Sequence, residues 1–65
     1  MTVTTATLIA TCDHAIANLR AEYREIGEAL IAGHGDREEL LAEYRWTARL
    51  INFQQLQRDE IAARA

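Results

Sequence analysis

One short segment of the 65-residue sequence concentrates the residues that end helices, and it lies at the middle of the chain. The segment is GHGD at positions 33–36, and the rest of the chain holds no proline and one further glycine, Gly27. Gly33 suits the left-handed residue that follows a helix, whereas Asp36 can cap the next helix with Glu39 reaching back, as in a capping box. The segment therefore predicts a turn between two helices.

The residues before this turn show the spacing of an amphipathic helix. Their apolar positions alternate in steps of three and four residues, which is the pattern of a helix that packs along its length. The stripe consists of Ile9, Cys12, Ile16, Leu19, Tyr23, Ile26 and Leu30. Threonines near the N-terminus also suit extended chain, so we predict a first helix from about residue 5 to residue 32 and a second from about residue 37 to residue 63.

Two helices of matched length across a short turn predict an antiparallel helical hairpin, with residues 1–65 forming one all-α domain. Pairing positions about the turn places Tyr23 beside Tyr44. Farther from the turn, apolar residues no longer pair with apolar residues, because Ile9 would face Arg58. We therefore expect looser packing at the open end of the hairpin.

The second helix carries more apolar surface than one neighbour can cover. Tyr44, Thr47 and Ile51 face the first helix, and at about 100° per residue the other apolar side chains widen the apolar arc to about 240°. Those other side chains are Trp46, Leu50, Phe53 and Ile61, and the remaining polar strip contains Arg45, Arg49, Asn52 and Glu60. Small chains bury a poor fraction of their surface, and contiguous apolar patches mark interfaces.

We therefore predict that the chain self-associates through Trp46, Leu50, Phe53 and Ile61. The simplest assembly is a homodimer in which two hairpins form a four-helix bundle. Docking of the same patch on a different protein is the alternative that the sequence leaves open.

Cysteine usage and charge restrict the environment of the protein. Cys12 is the single cysteine, so it cannot crosslink its own chain, and this usage suits a reducing compartment. The N-terminal residues lack the features of a secretory signal, and no apolar run approaches the ~20 residues that span a bilayer. We expect a cytoplasmic location and no membrane contact. All seven basic residues are arginine, a composition that favours a bacterial or phage origin.

No residue pattern predicts catalysis, a cofactor or a metal site. Cys12 and His14 lie about 200° apart on a helix, so the two side chains cannot bind the same metal ion. The chain has no glycine-rich phosphate loop, no nucleophile motif and no Glu-x-x-His pair for a carboxylate-bridged metal. We therefore expect a non-enzymatic interaction protein, such as an adaptor, an assembly factor or an inhibitor.

The arginines of the second helix support an alternative function, binding of structured RNA. Arg45 and Arg49 are one turn apart and would form a small basic patch in a dimer, to which Arg20 or Arg24 could add. Such an assembly resembles small plasmid-encoded RNA-binding hairpin dimers in shape, without a shared motif. The net charge of −3 opposes strong attraction to nucleic acid and favours the first interpretation.

Overall fold

The computed structural model describes residues 3–64, which form two long helices joined by a short turn. Helix α1 spans Thr5–Ala32 and helix α2 spans Arg37–Arg64, with 28 residues in each. The two helices pack against each other, and no strand occurs between residues 3 and 64, so the all-α prediction is confirmed at this level. Residues 1, 2 and 65 of the predicted domain lie outside the described residues. Neither helix combines the length and the apolarity that crossing a bilayer requires.

Helix α1 begins at a threonine cap. Thr4 has extended backbone angles, and its hydroxyl oxygen accepts a hydrogen bond from the Thr7 amide at 3.1 Å. The Thr11 hydroxyl donates to the Thr7 carbonyl oxygen at 2.9 Å. Threonine hydroxyls can satisfy helix-end amides and helical carbonyls in this way, which is how these β-branched residues are accommodated in a helix.

The turn has the left-handed glycine and the aspartate cap that its residues predict, but within residues 3–64 the Glu39 side chain forms no hydrogen bond back to Asp36. Gly33 adopts the left-handed conformation, with φ of 72°, and its amide donates to the Leu30 carbonyl oxygen at 3.3 Å. One carboxylate oxygen of Asp36 accepts the amide protons of Glu38 at 2.9 Å and Glu39 at 3.4 Å. A left-handed glycine after α1 and an aspartate cap before α2 together reverse the chain within four residues.

The core between the helices is thin. Among the described residues, Cys12, Ile16 and Thr47 are the ones that are buried, with 8%, 5% and 5% of their surfaces exposed. The hairpin measures 46 × 16 × 16 Å. Its accessible surface is 5186 Å², whereas a compact folded monomer of this mass exposes about 4200 Å². An isolated hairpin thus leaves roughly 1000 Å² more surface in water than a compact protein of its size.

An ion pair joins the helices at the open end of the hairpin. The Arg58 guanidinium donates to a carboxylate oxygen of Asp13, and this hydrogen bond raises the pKa of Arg58. The register predicted from the sequence places Arg58 opposite Ile9, which is one helical turn from Asp13, so this partner is not predicted. The two side chains remain 34% and 51% exposed, so the pair is a solvated one. The buried residues of α1, Cys12 and Ile16, lie in the same half of the hairpin, so burial does not show the looser packing predicted for the open end.

Candidate interaction surface

Three large apolar side chains of α2 remain in contact with water. Trp46 is 60% exposed, Phe53 is 55% exposed and Leu56 is 68% exposed. They fall within eleven consecutive residues, which is about 15 Å of helix. The three side chains therefore belong to one continuous stretch of the α2 surface.

Two contacts show which side of α2 faces α1. Tyr44 stacks on Tyr23, and Arg58 pairs with Asp13, so positions 44 and 58 of α2 face α1. Two heptads separate these positions, and Ile51 lies midway between them on the same line. In helical geometry, a line repeated every seven residues stays on one side of the helix. The line through residues 44, 51 and 58 is therefore the inner line of α2.

The exposed apolar residues lie nearly opposite this inner line. Phe53 follows Ile51 by two residues, and Trp46 and Leu56 lie five residues before and after it. At about 100° per residue, these offsets place all three side chains about 140° to 160° around the helix from Ile51. We call this side the outer face of α2.

The outer face repeats the three-and-four spacing of a packed helix. Its positions alternate in steps of four and three residues and form a second seam, distinct from the one that contacts α1. The seam consists of Ala42, Trp46, Arg49, Phe53, Leu56, Glu60 and Ala63. The interface predicted from the sequence does not include Leu56, although this side chain is 68% exposed. The signal that could have found Leu56 is its spacing of three residues from Phe53.

The four residues predicted as an interface do not share one face. Trp46 and Phe53 lie on the outer face, whereas Leu50 and Ile61 are half-buried. Leu50 and Ile61 lie about 100° and 80° from the inner line, so they flank the seam between the helices. The outer face therefore contains half of the predicted set together with Leu56.

The two candidate RNA-binding arginines occupy different positions on α2. Both are exposed, and neither forms an ion pair within residues 3–64. Arg49 lies in the seam between Trp46 and Phe53, whereas Arg45 lies on one edge of the outer face. Asp59 lies two heptads further along the same side, about 80° from the inner line and so between the outer face and the seam with α1, and its carboxylate accepts a hydrogen bond from Gln55 at 3.3 Å. This side of α2 thus carries one positive and one negative side chain at opposite ends.

The other polar features of residues 3–64 do not converge on a reactive site. No group of three or more His, Cys, Asp or Glu side chains in this part of the chain is placed to hold a metal ion. A depression with an empty volume of about 250 Å³ lies beside the turn, lined by Ala29, Leu30, Gly33, His34, Gly35, Arg37 and Leu40. The Cys12 thiol is buried in the core stripe, as the sequence predicts, and is a free cysteine.

Similarity to known proteins adds no functional information for this chain. Comparisons with protein-family models, with curated proteins and with solved structures found no match. The outer face of α2 is therefore the feature on which a functional proposal rests.

Proposed function

We propose that this protein is a non-enzymatic protein–protein interaction module that self-associates through the outer face of α2. The observation that carries the proposal is the exposure of Trp46, Phe53 and Leu56 on one side of a single helix. Full burial of each of these side chains would contribute on the order of 1.5 to 3 kcal/mol. Exposed patches of this kind mark interfaces in soluble proteins.

The thin core supports the same proposal. A second hairpin on the outer face would give α2 a packed neighbour on both sides, and the assembly would contain four helices. The roughly 1000 Å² of surplus surface is close to the ~800 Å² that each partner buries in a specific interface. The pair of hairpins would then present both copies of α1 and both turns to a further protein, as an adaptor, an assembly factor or an inhibitor does. A reducing compartment such as the cytoplasm suits the free Cys12 thiol.

Sedimentation equilibrium of the full chain at micromolar concentration tests the proposal. We expect a dimer mass that falls on dilution, and a melting temperature that rises with protein concentration because association stabilises the folded chain. Trp46→Ala should shift the equilibrium toward the monomer. Ile31→Ala is the matched control, because Ile31 is 91% exposed but lies on α1. A monomer with a concentration-independent melting temperature would rule the proposal out.

Binding of structured RNA is the alternative that Arg45 and Arg49 support, since both are exposed and unpaired within residues 3–64. Gel-shift measurements with pooled cellular RNA at low salt test it. Retention that disappears in Arg45→Gln/Arg49→Gln and weakens with salt would favour the alternative, because phosphate contacts release counterions. The net charge of −3 opposes this alternative, because it weakens attraction to phosphate groups.

A further inference from the structure

We infer that the occupant of the outer face is a second copy of this chain, bound antiparallel, with the two-fold axis crossing the outer face at the level of residue 51. This inference rests on the proposed self-association and adds its direction and register. It follows from the order of apolar and charged positions along the outer face.

The seam of the outer face restricts how two copies can pair. The seam positions are of two types, those followed by a step of three residues and those followed by a step of four. In an antiparallel pair of helices, each position of one type faces a position of the other type on the partner. With the axis at the level of residue 51, residues whose numbers add up to 102 face each other. Trp46 then packs against Leu56 of the second copy, and Arg49 lies against Phe53 of the second copy. Each contact occurs twice because the interface is isologous.

The Arg49 side chain fits this arrangement. Its aliphatic stem can cover apolar surface while the guanidinium lies over an aromatic ring, a contact that is favourable for a cation. A charged residue within the seam is thus compatible with an apolar partner when that partner is phenylalanine. Glu60 faces Ala42 of the second copy near the end of the overlap, where water remains accessible.

One side of the outer face supplies charge complementarity. Arg45 and Asp59 lie equally far from residue 52, which is the middle of the side they share. In the antiparallel pair, Arg45 lies on the same side of the seam as Asp59 of the second copy and only two residues, about 3 Å along the helix axis, from its level. The two side chains can therefore meet, and the reverse contact forms at the other end. A parallel pair would instead bring each seam position against its own copy, so Arg49 would face Arg49 and Glu60 would face Glu60, and like charges in facing positions repel.

The overlap of the two helices favours this register over its nearest alternative. An axis at the level of residue 51 lies at the midpoint of α2, so residues 38–64 of both copies overlap, which is about 40 Å of helix. A shift of one heptad would bring Arg49 opposite Glu60 of the second copy. That shift would leave residues 37–44 without a neighbour and would move Trp46 to the end of the helix.

The resulting assembly differs from a bundle in which four helices share one core. Because the outer face lies opposite the inner line, the two α2 helices are central and each α1 packs on the far side of its own α2. Each α2 then uses both of its seams, one within its own chain and one between chains. This arrangement explains why the apolar residues of α2 extend around most of its circumference.

A charge exchange between positions 45 and 59 tests the inference. Arg45→Glu and Asp59→Arg each replace two attractive contacts by two repulsive ones, so each should raise the dimer dissociation constant roughly ten-fold at low salt. The double variant Arg45→Glu/Asp59→Arg should restore the original constant. Within one chain the two positions are about 21 Å apart, so restoration has to arise between copies. Arg24→Glu, on α1, is the control for net charge and should leave association unchanged.

The outcomes separate this inference from the proposed function. A wild-type monomer at all concentrations overturns both. A dimer that tolerates the single charge changes, or that the double variant fails to restore, overturns the antiparallel register and leaves self-association in place. Circular dichroism of each variant establishes that it is helical, so that loss of association is not mistaken for loss of fold.

Discussion

Tyr23 of α1 and Tyr44 of α2 stack across the hairpin, with their ring centroids 4.0 Å apart and their planes 17° apart. Gly27 lies next to this pair, and a Cβ atom added there would be 3.4 Å from Cε1 of Tyr44. The Tyr44 ring thus lies over the α1 backbone at Gly27, with room for one added methyl group. The aromatic pair connects the two helices, and several properties of the hairpin follow from it.

Removing the Tyr44 ring should destabilise the hairpin. Tyr44→Ala is expected to lower the free energy of unfolding by about 1 to 2 kcal/mol, because it removes a half-buried ring and leaves the Tyr23 ring without its stacking partner. Tyr44→Phe keeps the ring and should cost much less. Urea denaturation at one fixed protein concentration measures both. A double-mutant cycle with Tyr23→Ala should show positive coupling, and strict additivity would mean that the rings do not interact.

Stability should fall at alkaline pH through the same pair. The Tyr44 hydroxyl, chiefly as a hydrogen-bond partner, raises the pKa of Tyr23 above its ordinary value of 10.0. The folded chain therefore holds this proton more tightly than the unfolded chain does. The stabilisation is present below pH 10 and is lost as the pH rises through the raised pKa. The melting temperature should fall above pH 10, and Tyr44→Phe should flatten that decline. Equal declines in the two proteins would contradict the assignment.

The same substitution at two glycines should have opposite effects. Gly27→Ala should stabilise the hairpin by about 0.5 to 1 kcal/mol, because alanine favours helix and its Cβ makes an ordinary contact with Tyr44. Gly33→Ala should destabilise it by about 1 kcal/mol, since an L-residue is strained at φ of 72°. Nothing lies within 4 Å of the added atom at Gly33, so this cost is conformational. Thermal denaturation of the two variants gives the comparison, and a shared sign would show that one local argument fails.

Neutralising Asp13 should loosen the open end of the hairpin. Asp13→Asn is expected to lower the melting temperature by only a few degrees, because exposed ion pairs contribute little, and the difference should shrink at high salt. Amide hydrogen exchange should accelerate at residues 5–12 more than at residues 19–30, which lie nearer the turn. Glu22→Gln, which changes net charge by the same amount at an exposed position of α1, is the control. Uniform protection along α1 in both variants would mean that Arg58 does not hold this end.

The seam that faces α1 and the turn were accessible from the sequence because their causes are local. Gly33 and Asp36 satisfy backbone groups within a few residues of themselves, and the three-and-four spacing that places Cys12 and Ile16 in the core is a property of one helix. The proximity of Tyr23 and Tyr44 also followed from counting outward from the turn, whereas the stacking of their rings did not.

The residues of the outer face could be assigned only when the side of α2 that packs against α1 was known. Trp46 and Phe53 were recognised as surplus apolar residues, but Leu56 and the place of Arg49 in the same seam depend on which line of α2 faces its neighbour. The Asp13–Arg58 pair depends likewise on the angular offset of the helices and on the reach of a long side chain. Helical periodicity arises from hydrogen bonds between residues four apart, so the sequence alone determined two amphipathic helices and their turn. Which side of each helix is covered is set by contacts between residues far apart in the chain, and the tertiary structure decided it.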